Sequence, residues 1–159
     1  MYKIIDGTKT HLDAAAQIWA EATSARDGDD DVAQLDLSRP VMARVLESSA
    51  RAFLLVAVDS KGTATGFAAI APVPGEVESA ELHYVGVNPR AWGGGVGKDL
   101  MAAIPNVLKE RGFSTAKLSV YSDNPRAVIL YEKMGWRRHG APTPHARSGR
   151  LEQEYRLSL

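Results

Sequence analysis

The chemistry of this chain is most visible in a glycine-rich stretch, Gly-Gly-Gly-Val-Gly, at residues 93–97. An apolar segment ending at Val87 precedes it, and an amphipathic segment with helical spacing follows it. Glycines leave backbone N–H groups uncovered, and a helix that begins there adds unpaired N–H groups and the positive end of its dipole. The stretch therefore predicts a binding site for an anionic group, above all a phosphate or diphosphate.

Two common phosphate-binding loops do not fit this spacing. A P-loop needs a glycine five residues before its Gly-Lys pair, and Trp92 takes that place before Gly97-Lys98. Asp99 stands where a P-loop has the Ser or Thr that binds magnesium. A dinucleotide-binding loop, Gly-x-Gly-x-x-Gly, fails because its third glycine would fall on Lys98 or Leu100. A nucleotide-binding enzyme of either kind is therefore disfavoured.

A second group of residues recurs at helical spacing further along the chain. Asn124, either Ala127 or Val128, and Tyr131 share one face of a helix predicted over residues 125–134, which Asp123 or Asn124 is expected to cap. A tyrosine on such a face is usually a core residue whose hydroxyl is hydrogen-bonded. The spacing alone therefore leaves a structural role for this face open.

Composition and charge narrow the class of protein. The chain has 159 residues, 45% apolar and 24% charged, which is typical of one soluble globular domain. Lys and Arg total 19, as do Asp and Glu, and this neutrality disfavours a general binder of nucleic acid or of anionic membranes. The absence of cysteine excludes disulfides, thiolate metal sites and thiol nucleophiles. Because His11, His139 and His145 lack metal-ligand spacing, we expect no metal.

The N-terminal residues and the apolar runs predict a cytoplasmic protein. The first residues, Met-Tyr-Lys-Ile-Ile-Asp, contain no apolar signal-peptide region. The longest apolar runs, at residues 53–58 and 67–73, are too short to span a bilayer.

Hydrophobic periodicity predicts the element order β-α-α-β-β-β-α-β-α-β-β within a single domain over residues 1–159. Helices interleaved with hairpins imply a mixed sheet with helices on both faces. Strands are predicted at residues 2–5, 53–58, 65–71, 78–87, 116–121, 136–139 and 151–157, and helices at about 12–22, 39–49, 95–111 and 125–134.

Prolines and polar clusters set the expected boundaries. Residues 26–36 and 140–150 are predicted to be loops. Pro40 is expected in the first turn of the second helix, and Pro72 is expected to break the chain after a strand. Pro105 should bend the third helix or end its regular hydrogen bonding.

Both groups of residues resemble the signatures of the GNAT N-acetyltransferase superfamily. The family's acetyl-CoA loop, Arg/Gln-x-x-Gly-x-Gly/Ala, follows a strand that ends in Val-x-Pro, as Val87-Asn88-Pro89 does here. Its second signature is an asparagine, a short helix and Tyr-x-x-x-Gly-Phe. Asn124 and the run Tyr-Glu-Lys-Met-Gly-Trp at residues 131–136 correspond to it. Specific similarity covers residues 78–137, and two signatures in order are more specific than one glycine loop.

Two residues depart from the family pattern. Trp92 replaces the usual Arg or Gln, and Gly94 replaces a residue that is frequently basic. The backbone N–H groups are kept, but two side-chain contacts to the diphosphate are missing. We therefore expect binding to persist with a changed affinity.

The resemblance implies an α/β fold of the α+β type, like that of acyl-CoA N-acyltransferases: a mixed, mostly antiparallel, six- to seven-stranded sheet flanked by about four helices. It implies acetyl-CoA as co-substrate, with its pantetheine arm paired to the main chain of Val85 and Val87 and bonded by Asn124. Gly86 is expected to mark a bulge that frees those main-chain groups, and Lys98 either adds charge or is simply solvated. The residues expected to bind acetyl-CoA are Val85, Val87, Trp92, Gly93, Gly94, Gly95, Val96, Gly97, Lys98 and Asn124.

The resemblance also assigns catalytic roles. Tyr131 is expected to act as the general acid that protonates the departing CoA thiolate. Glu81, six residues before Val87, corresponds to a glutamate that often serves as general base, and His83 on the same strand face is the alternative. Direct transfer is expected, because the chain has neither a cysteine nor a serine elbow to carry an acyl group.

The acceptor is expected to be a primary amine on a small molecule or a peptide, and a homodimer is left open. The acidic run of Asp27, Asp29, Asp30 and Asp31 is read as a solvated loop, with attraction of a cationic amine as the alternative. The rival interpretation of the whole chain is a catalytically silent acyl-CoA-binding or regulatory module on the same fold.

Overall fold

The computed structural model describes residues 2–27, 35–146 and 148–159 of the chain. The element order predicted from the sequence is confirmed over these residues. Asp29, Asp30 and Asp31 of the acidic run lie outside the described residues. The elements are β1 (Lys3–Asp6), α1 (Leu12–Asp27), α2 (Leu35–Glu47), β2 (Phe53–Val58), β3 (Ala64–Val73), β4 (Glu76–Val87), a 3-10 helix (Pro89–Ala91), α3 (Val96–Glu110), β5 (Thr115–Tyr121), α4 (Pro125–Lys133), β6 (Arg137–Pro144) and β7 (Leu151–Ser158).

The strands form one seven-stranded sheet in the order β1-β2-β3-β4-β5-β7-β6. Among the described strands, β4 and β5 make the one parallel pair, and every other pair is antiparallel. The predicted mixed, mostly antiparallel sheet is therefore confirmed. The parallel pair needs a long crossover connection, which α3 supplies.

Alternating side chains of the central strands point into two separate cores. Phe53 and Leu55 of β2 pack on the side of α3 and α4, and Leu54 and Val56 pack on the side of α1 and α2. We call these sides the α3/α4 face and the α1/α2 face. All six residues of β2 are buried, as expected of a strand covered on both faces.

A β-bulge interrupts β4 at His83. The pairing with β3 passes from Leu82 opposite Ile70 to Tyr84 opposite Ala69, so His83 is the extra residue. The bulge reverses the alternation, so that Tyr84 packs on the α1/α2 face.

The prediction of a bulge at Gly86 is therefore wrong. Gly86 pairs in regular register with Phe67. A Cβ at Gly86 would lie 2.8 Å from Cε1 of the Phe67 ring, so close packing against this ring requires the glycine.

The sheet opens between β4 and β5. Their parallel pairing joins residues 79–82 to residues 115–118 and then stops. Beyond that point β4 continues along β3 to Val87, while β5 continues along β7 to Tyr121. Over the described residues, the β5 side of residues 83–87 therefore has no neighbouring strand, and an open strand edge results.

Two helix boundaries differ from the sequence predictions. The predicted loop at residues 26–36 is wrong at both ends, because α1 continues to Asp27 and α2 already begins at Leu35. Pro40 consequently lies inside α2 rather than in its first turn. The helix is held by Met42 and Val45, which are buried at a spacing of three residues on the α1/α2 face.

Two strand boundaries also differ. β3 runs through Pro72 to Val73, because its pairing with β2 has already ended at Ile70 and a missing N–H on that side is tolerated. β6 extends to Pro144, within the predicted loop of residues 140–150. Every residue of β6 is exposed, so no apolar alternation signalled the strand.

Candidate active site

The glycine loop joins the open edge of β4 to α3. Gly93 and Gly95 have φ angles of 83° and 84°, in the left-handed region that side chains with a Cβ disfavour. Gly95 is the N-cap of α3, and because glycine has no side chain, the first N–H groups of the helix receive no capping hydrogen bond from it. The buried side chain of Val96 anchors the first turn beneath the loop.

Most backbone N–H groups of this loop are available to a ligand, and the N–H of Gly94 is the exception, because it donates to the carbonyl of Ala91. Glycines 93, 94 and 95 are exposed, as is the side chain of Lys98. A phosphate at this position would also lie at the positive end of α3. No hydrogen bond among the described residues uses the N–H groups of Gly93, Gly95, Val96, Gly97 and Lys98.

Trp92 packs beside the loop in a fixed orientation. Its indole Nε1 donates a hydrogen bond of 2.9 Å to the carbonyl oxygen of Val87. The side chain remains 40% exposed, and the guanidinium carbon of Arg126 lies 5.5 Å from the centre of its ring. The indole therefore joins the end of β4 to α4.

The main chain of Val85 and Val87 faces the opening of the sheet. The N–H of Asn88 donates to Thr65 on the β3 side. Main-chain groups alternate in direction along an antiparallel strand, so Gly86 also faces β3, whereas Val85 and Val87 face away from it. This is the geometry that strand-like pairing with an extended ligand requires.

Tyr131 is a buried phenol on the α3/α4 face. Only 9% of it is exposed, and its ring centre lies 6.5 Å from that of Trp136. Its hydroxyl has no hydrogen-bond partner among the described residues, and the buried Nε1 of Trp136 has none either. Burial raises the pKa of Tyr131 to about 12, so the phenol holds its proton at neutral pH.

This burial predicts a loss of stability at high pH. The pKa of Tyr131 rises from 10.0 to about 12 on folding, so the stabilising contribution is complete below pH 10 and falls as the pH rises toward 12. Between pH 8 and 11, the wild type should lose about 1 kcal/mol more free energy of unfolding than Tyr131→Phe. Urea unfolding of both proteins at the two pH values measures the difference, and equal losses would contradict the burial of an ionisable phenol.

Asn124 is the cap of α4, which resolves the choice between Asp123 and Asn124. Its Oδ1 accepts a hydrogen bond of 3.3 Å from the N–H of Ala127. The amide Nδ2 makes no hydrogen bond within the described part of the chain, and is available to a ligand. Asn124 also borders a cleft of about 470 Å³ whose other lining residues are Arg26, Asp123, Pro125 and Arg150.

Both candidate bases lie in one cluster of ionisable side chains, which also contains Lys117. Glu81 has one carboxylate oxygen 3.7 Å from Nδ1 of His83 and the other 3.7 Å from Nζ of Lys117. Because Leu82 and Leu118 point to the α3/α4 face, their neighbours Glu81 and Lys117 point to the opposite face. Sequence reasoning missed Lys117, since only the register of the parallel pair places it beside Glu81.

The assembled site has complementary groups on the two sides of the opening. The loop N–H groups lie at one end, the main chain of Val85 and Val87 lines the edge, and Tyr131 and Glu81 project from opposite faces. Such an arrangement can hold an extended phosphorylated ligand and exchange protons on both sides of it. Over the described residues, no group of three or more His, Asp or Glu could hold a metal ion, and no helix has the length and apolar character of a membrane span.

Comparisons with known proteins agree with this geometry. The sequence model of the acetyltransferase (GNAT) family matches residues 12–136. A mycothiol acetyltransferase from Salinispora arenicola is 39% identical over 97 residues, which are 59% of this chain and 32% of the relative. The match to this curated relative thus spans about a third of its length.

Solved structures match nearly the whole chain. The ribosomal-protein-S18-alanine N-acetyltransferase from Escherichia coli superposes with a TM-score of 0.78 at 22% identity, covering 99% of this chain and 94% of that one. An acetyltransferase-like protein from Salmonella typhimurium, yncA, solved with its cofactor acetyl-CoA, superposes with a TM-score of 0.75 at 21% identity, covering 99% and 94%. These likenesses confirm the predicted fold class.

Proposed function

Because this chain belongs to the acetyltransferase (GNAT) family, we propose that it is an acetyl-CoA-dependent N-acetyltransferase that acts on a primary amine. The observation that carries this proposal is the row of unused loop N–H groups at the start of α3, which continues into the open edge of β4. We propose further that residues 1–159 act as a single catalytic domain.

The loop and the open edge would share the binding of acetyl-CoA. The unused N–H groups of Gly93, Gly95, Val96 and Gly97 hold the diphosphate, Gly94 keeps the loop free of a covering side chain, and Lys98 adds a positive charge. The main chain of Val85 and the N–H of Val87 pair with the pantetheine arm, while the Val87 carbonyl accepts from Trp92, and Nδ2 of Asn124 donates to the arm. A single strand edge thereby aligns the arm with the opening, between the two faces from which the catalytic side chains project.

The two catalytic side chains would move protons on opposite faces of the sheet. Bound acetyl-CoA supplies an acetyl group activated as a thioester. Glu81 accepts the proton that the attacking amine loses as its nitrogen bonds to the acetyl carbon, directly or through one water. Tyr131 donates its proton to the sulfur as the carbon–sulfur bond breaks, and solvent restores it. Direct transfer is proposed because each proton has its own partner without a covalent intermediate on the protein.

The acceptor would be the amine of a small molecule or of a peptide. Both kinds are represented among the similar proteins, one named for mycothiol and another for an alanine of a ribosomal protein. The test is to measure CoA release from acetyl-CoA over a panel of small amines, amino acids and peptides. Catalysed release with at least one amine supports the proposal. Binding of acetyl-CoA without release for any amine favours the catalytically silent module.

Glu81→Gln is expected to lower kcat/KM for the amine about 100-fold, because the amide cannot accept the proton. His83→Ala should have a much smaller effect, since Glu81 remains in place. Steady-state CoA release with the two variants measures both, and equal affinity of each for acetyl-CoA serves as the control. If His83→Ala has the larger effect, the base is His83 and Glu81 is its positioning residue.

A further inference from the structure

We infer that Arg126 binds a phosphate group of coenzyme A and that Trp92 holds the Arg126 guanidinium in position. The inference rests on the proposed binding of acetyl-CoA at the glycine loop. An indole at position 92 carries no charge for the diphosphate, so Lys98 is the one cation that residues 92–98 themselves contribute, and a guanidinium from elsewhere would add bidentate hydrogen bonds. The structure brings Arg126 to this place from a different helix.

The packing of α4 directs Arg126 toward the loop. Cδ2 of Leu130 lies 3.5 Å from the position that a Cβ on Gly97 would occupy, so α4 rests directly on the first turn of α3. Arg126 precedes Leu130 by one helical turn and lies on the same face of α4. Its guanidinium carbon lies 5.5 Å from the ring centre of Trp92, the residue that directly precedes the loop glycines.

Arg126 is chemically suited to a phosphate. Its side chain is exposed, and no carboxylate among the described residues pairs with it. Arg138 and Arg150, in contrast, are paired with Glu132 and Asp123. A guanidinium that lies against an aromatic ring keeps its N–H donors for bidentate hydrogen bonds to phosphate oxygens.

Trp92 gives this cation a fixed support. Its ring is held to the end of β4 by the hydrogen bond from Nε1 to the carbonyl of Val87. The cation–π contact with Arg126 therefore restricts the guanidinium before the ligand arrives, and less side-chain entropy is lost on binding. Tryptophan at position 92 thus acts on the phosphate through a neighbouring arginine.

Calorimetric titration with three ligands tests the inference. The ligands are acetyl-CoA, acetyl-dephospho-CoA, which lacks the 3′-phosphate, and S-acetylpantetheine, which lacks every phosphate. Arg126→Gln should raise the Kd for acetyl-CoA roughly tenfold, and Arg126→Lys should raise it less. Arg44→Gln is the matched control, because Arg44 is an exposed arginine of α2 on the other side of the sheet.

The ligand series identifies the phosphate. If Arg126 contacts the diphosphate, Arg126→Gln raises the Kd values for acetyl-CoA and for acetyl-dephospho-CoA by the same factor. If Arg126 contacts the 3′-phosphate, Arg126→Gln raises the Kd for acetyl-CoA but leaves the Kd for acetyl-dephospho-CoA unchanged. In either case Arg126→Gln should bind S-acetylpantetheine as the wild type does. Trp92→Leu should raise the Kd for acetyl-CoA by a smaller factor in the Arg126→Gln background than in the wild type.

Two results would overturn the inference. Equal Kd values of Arg126→Gln and Arg44→Gln for acetyl-CoA would remove Arg126 from the site while leaving the proposed function intact. If Arg126→Gln raises the Kd for S-acetylpantetheine by the same factor as the Kd for acetyl-CoA, Arg126 has a structural role instead. If the wild-type protein binds no acetyl-CoA, the proposed function itself fails, and this inference fails with it.

Discussion

Tyr131→Phe is expected to lower kcat by about 100- to 1,000-fold while leaving the Kd for acetyl-CoA nearly unchanged. The variant keeps the aromatic ring in the core and removes only the hydroxyl. That hydroxyl makes no hydrogen bond within the described part of the chain, so its loss leaves no partner unsatisfied. The expected loss is therefore confined to the step in which the leaving sulfur needs a proton.

The raised pKa of Tyr131, about 12, is compatible with this role. It keeps the phenol protonated throughout the neutral range, as a general acid must be before the reaction. In the proposed mechanism, a thiolate released beside the same buried ring would also be deprived of water, which would raise its affinity for a proton. Donor and acceptor are thus shifted in the same direction by the same burial.

Tyr155→Phe is the matched control for this experiment. Tyr155 is 1% exposed, but its hydroxyl donates a hydrogen bond of 2.7 Å to Glu132. Removing that hydroxyl should lower the free energy of unfolding by about 1 kcal/mol and leave kcat largely intact. Steady-state kinetics and urea unfolding of both variants separate the two roles. Unchanged turnover in Tyr131→Phe would end the assignment of this residue as the acid.

Gly95→Val is expected to raise the Kd for acetyl-CoA about 100-fold. A valine at this position would cover the N–H groups at the start of α3 and would be strained at a φ of 84°. Nothing in the protein lies within 4 Å of a Cβ built on Gly95, so no internal clash contributes to the loss. The side chain would instead occupy the space proposed for the diphosphate.

Gly62→Val separates this effect from backbone strain. Gly62 lies in the turn between β2 and β3 with a φ of 80°, and a Cβ there also meets nothing within 4 Å. Both variants should lose a similar free energy of unfolding, about 1–2 kcal/mol, but only Gly95→Val should lose affinity. Titration with acetyl-CoA together with urea unfolding measures both quantities. Equal affinities would show that the loop N–H groups do not hold the ligand.

Much of the fold could be predicted because local patterns determine it. The apolar run at Phe53–Val58 and the helical spacing of Leu100, Ile104 and Leu108 each identify an element that the structure contains. The turn before α3 could also be predicted from the glycine run, and the φ angles of Gly93 and Gly95 are ones that favour glycine, while the binding role of the loop remains a prediction. The roles proposed for Tyr131, Glu81 and Asn124 remain predictions from the family signatures.

The features that could not be predicted depend on contacts between distant parts of the chain. Pairing with β3 sets the bulge at His83, and a period-two alternation along β4 cannot reveal it. Lys117 reaches Glu81 through the register of two strands that are far apart in sequence. β6 is held by main-chain pairing and by Gln153, whose Nε2 donates to the carbonyls of His139 and Gly140.

The short parallel ladder between β4 and β5 also separates the strands of the first part of the chain from those of the last part. The four strands on one side come from residues before 88, and the three on the other side come from residues after 114. Over the described residues, the ladder pairs residues 79–82 with residues 115–118, and the N–H of Ser114 donates to the carbonyl of Glu78 just before it. Acetyl-CoA bound in this gap, as proposed, would contact both sets of strands, and its binding free energy would therefore stabilise the two together.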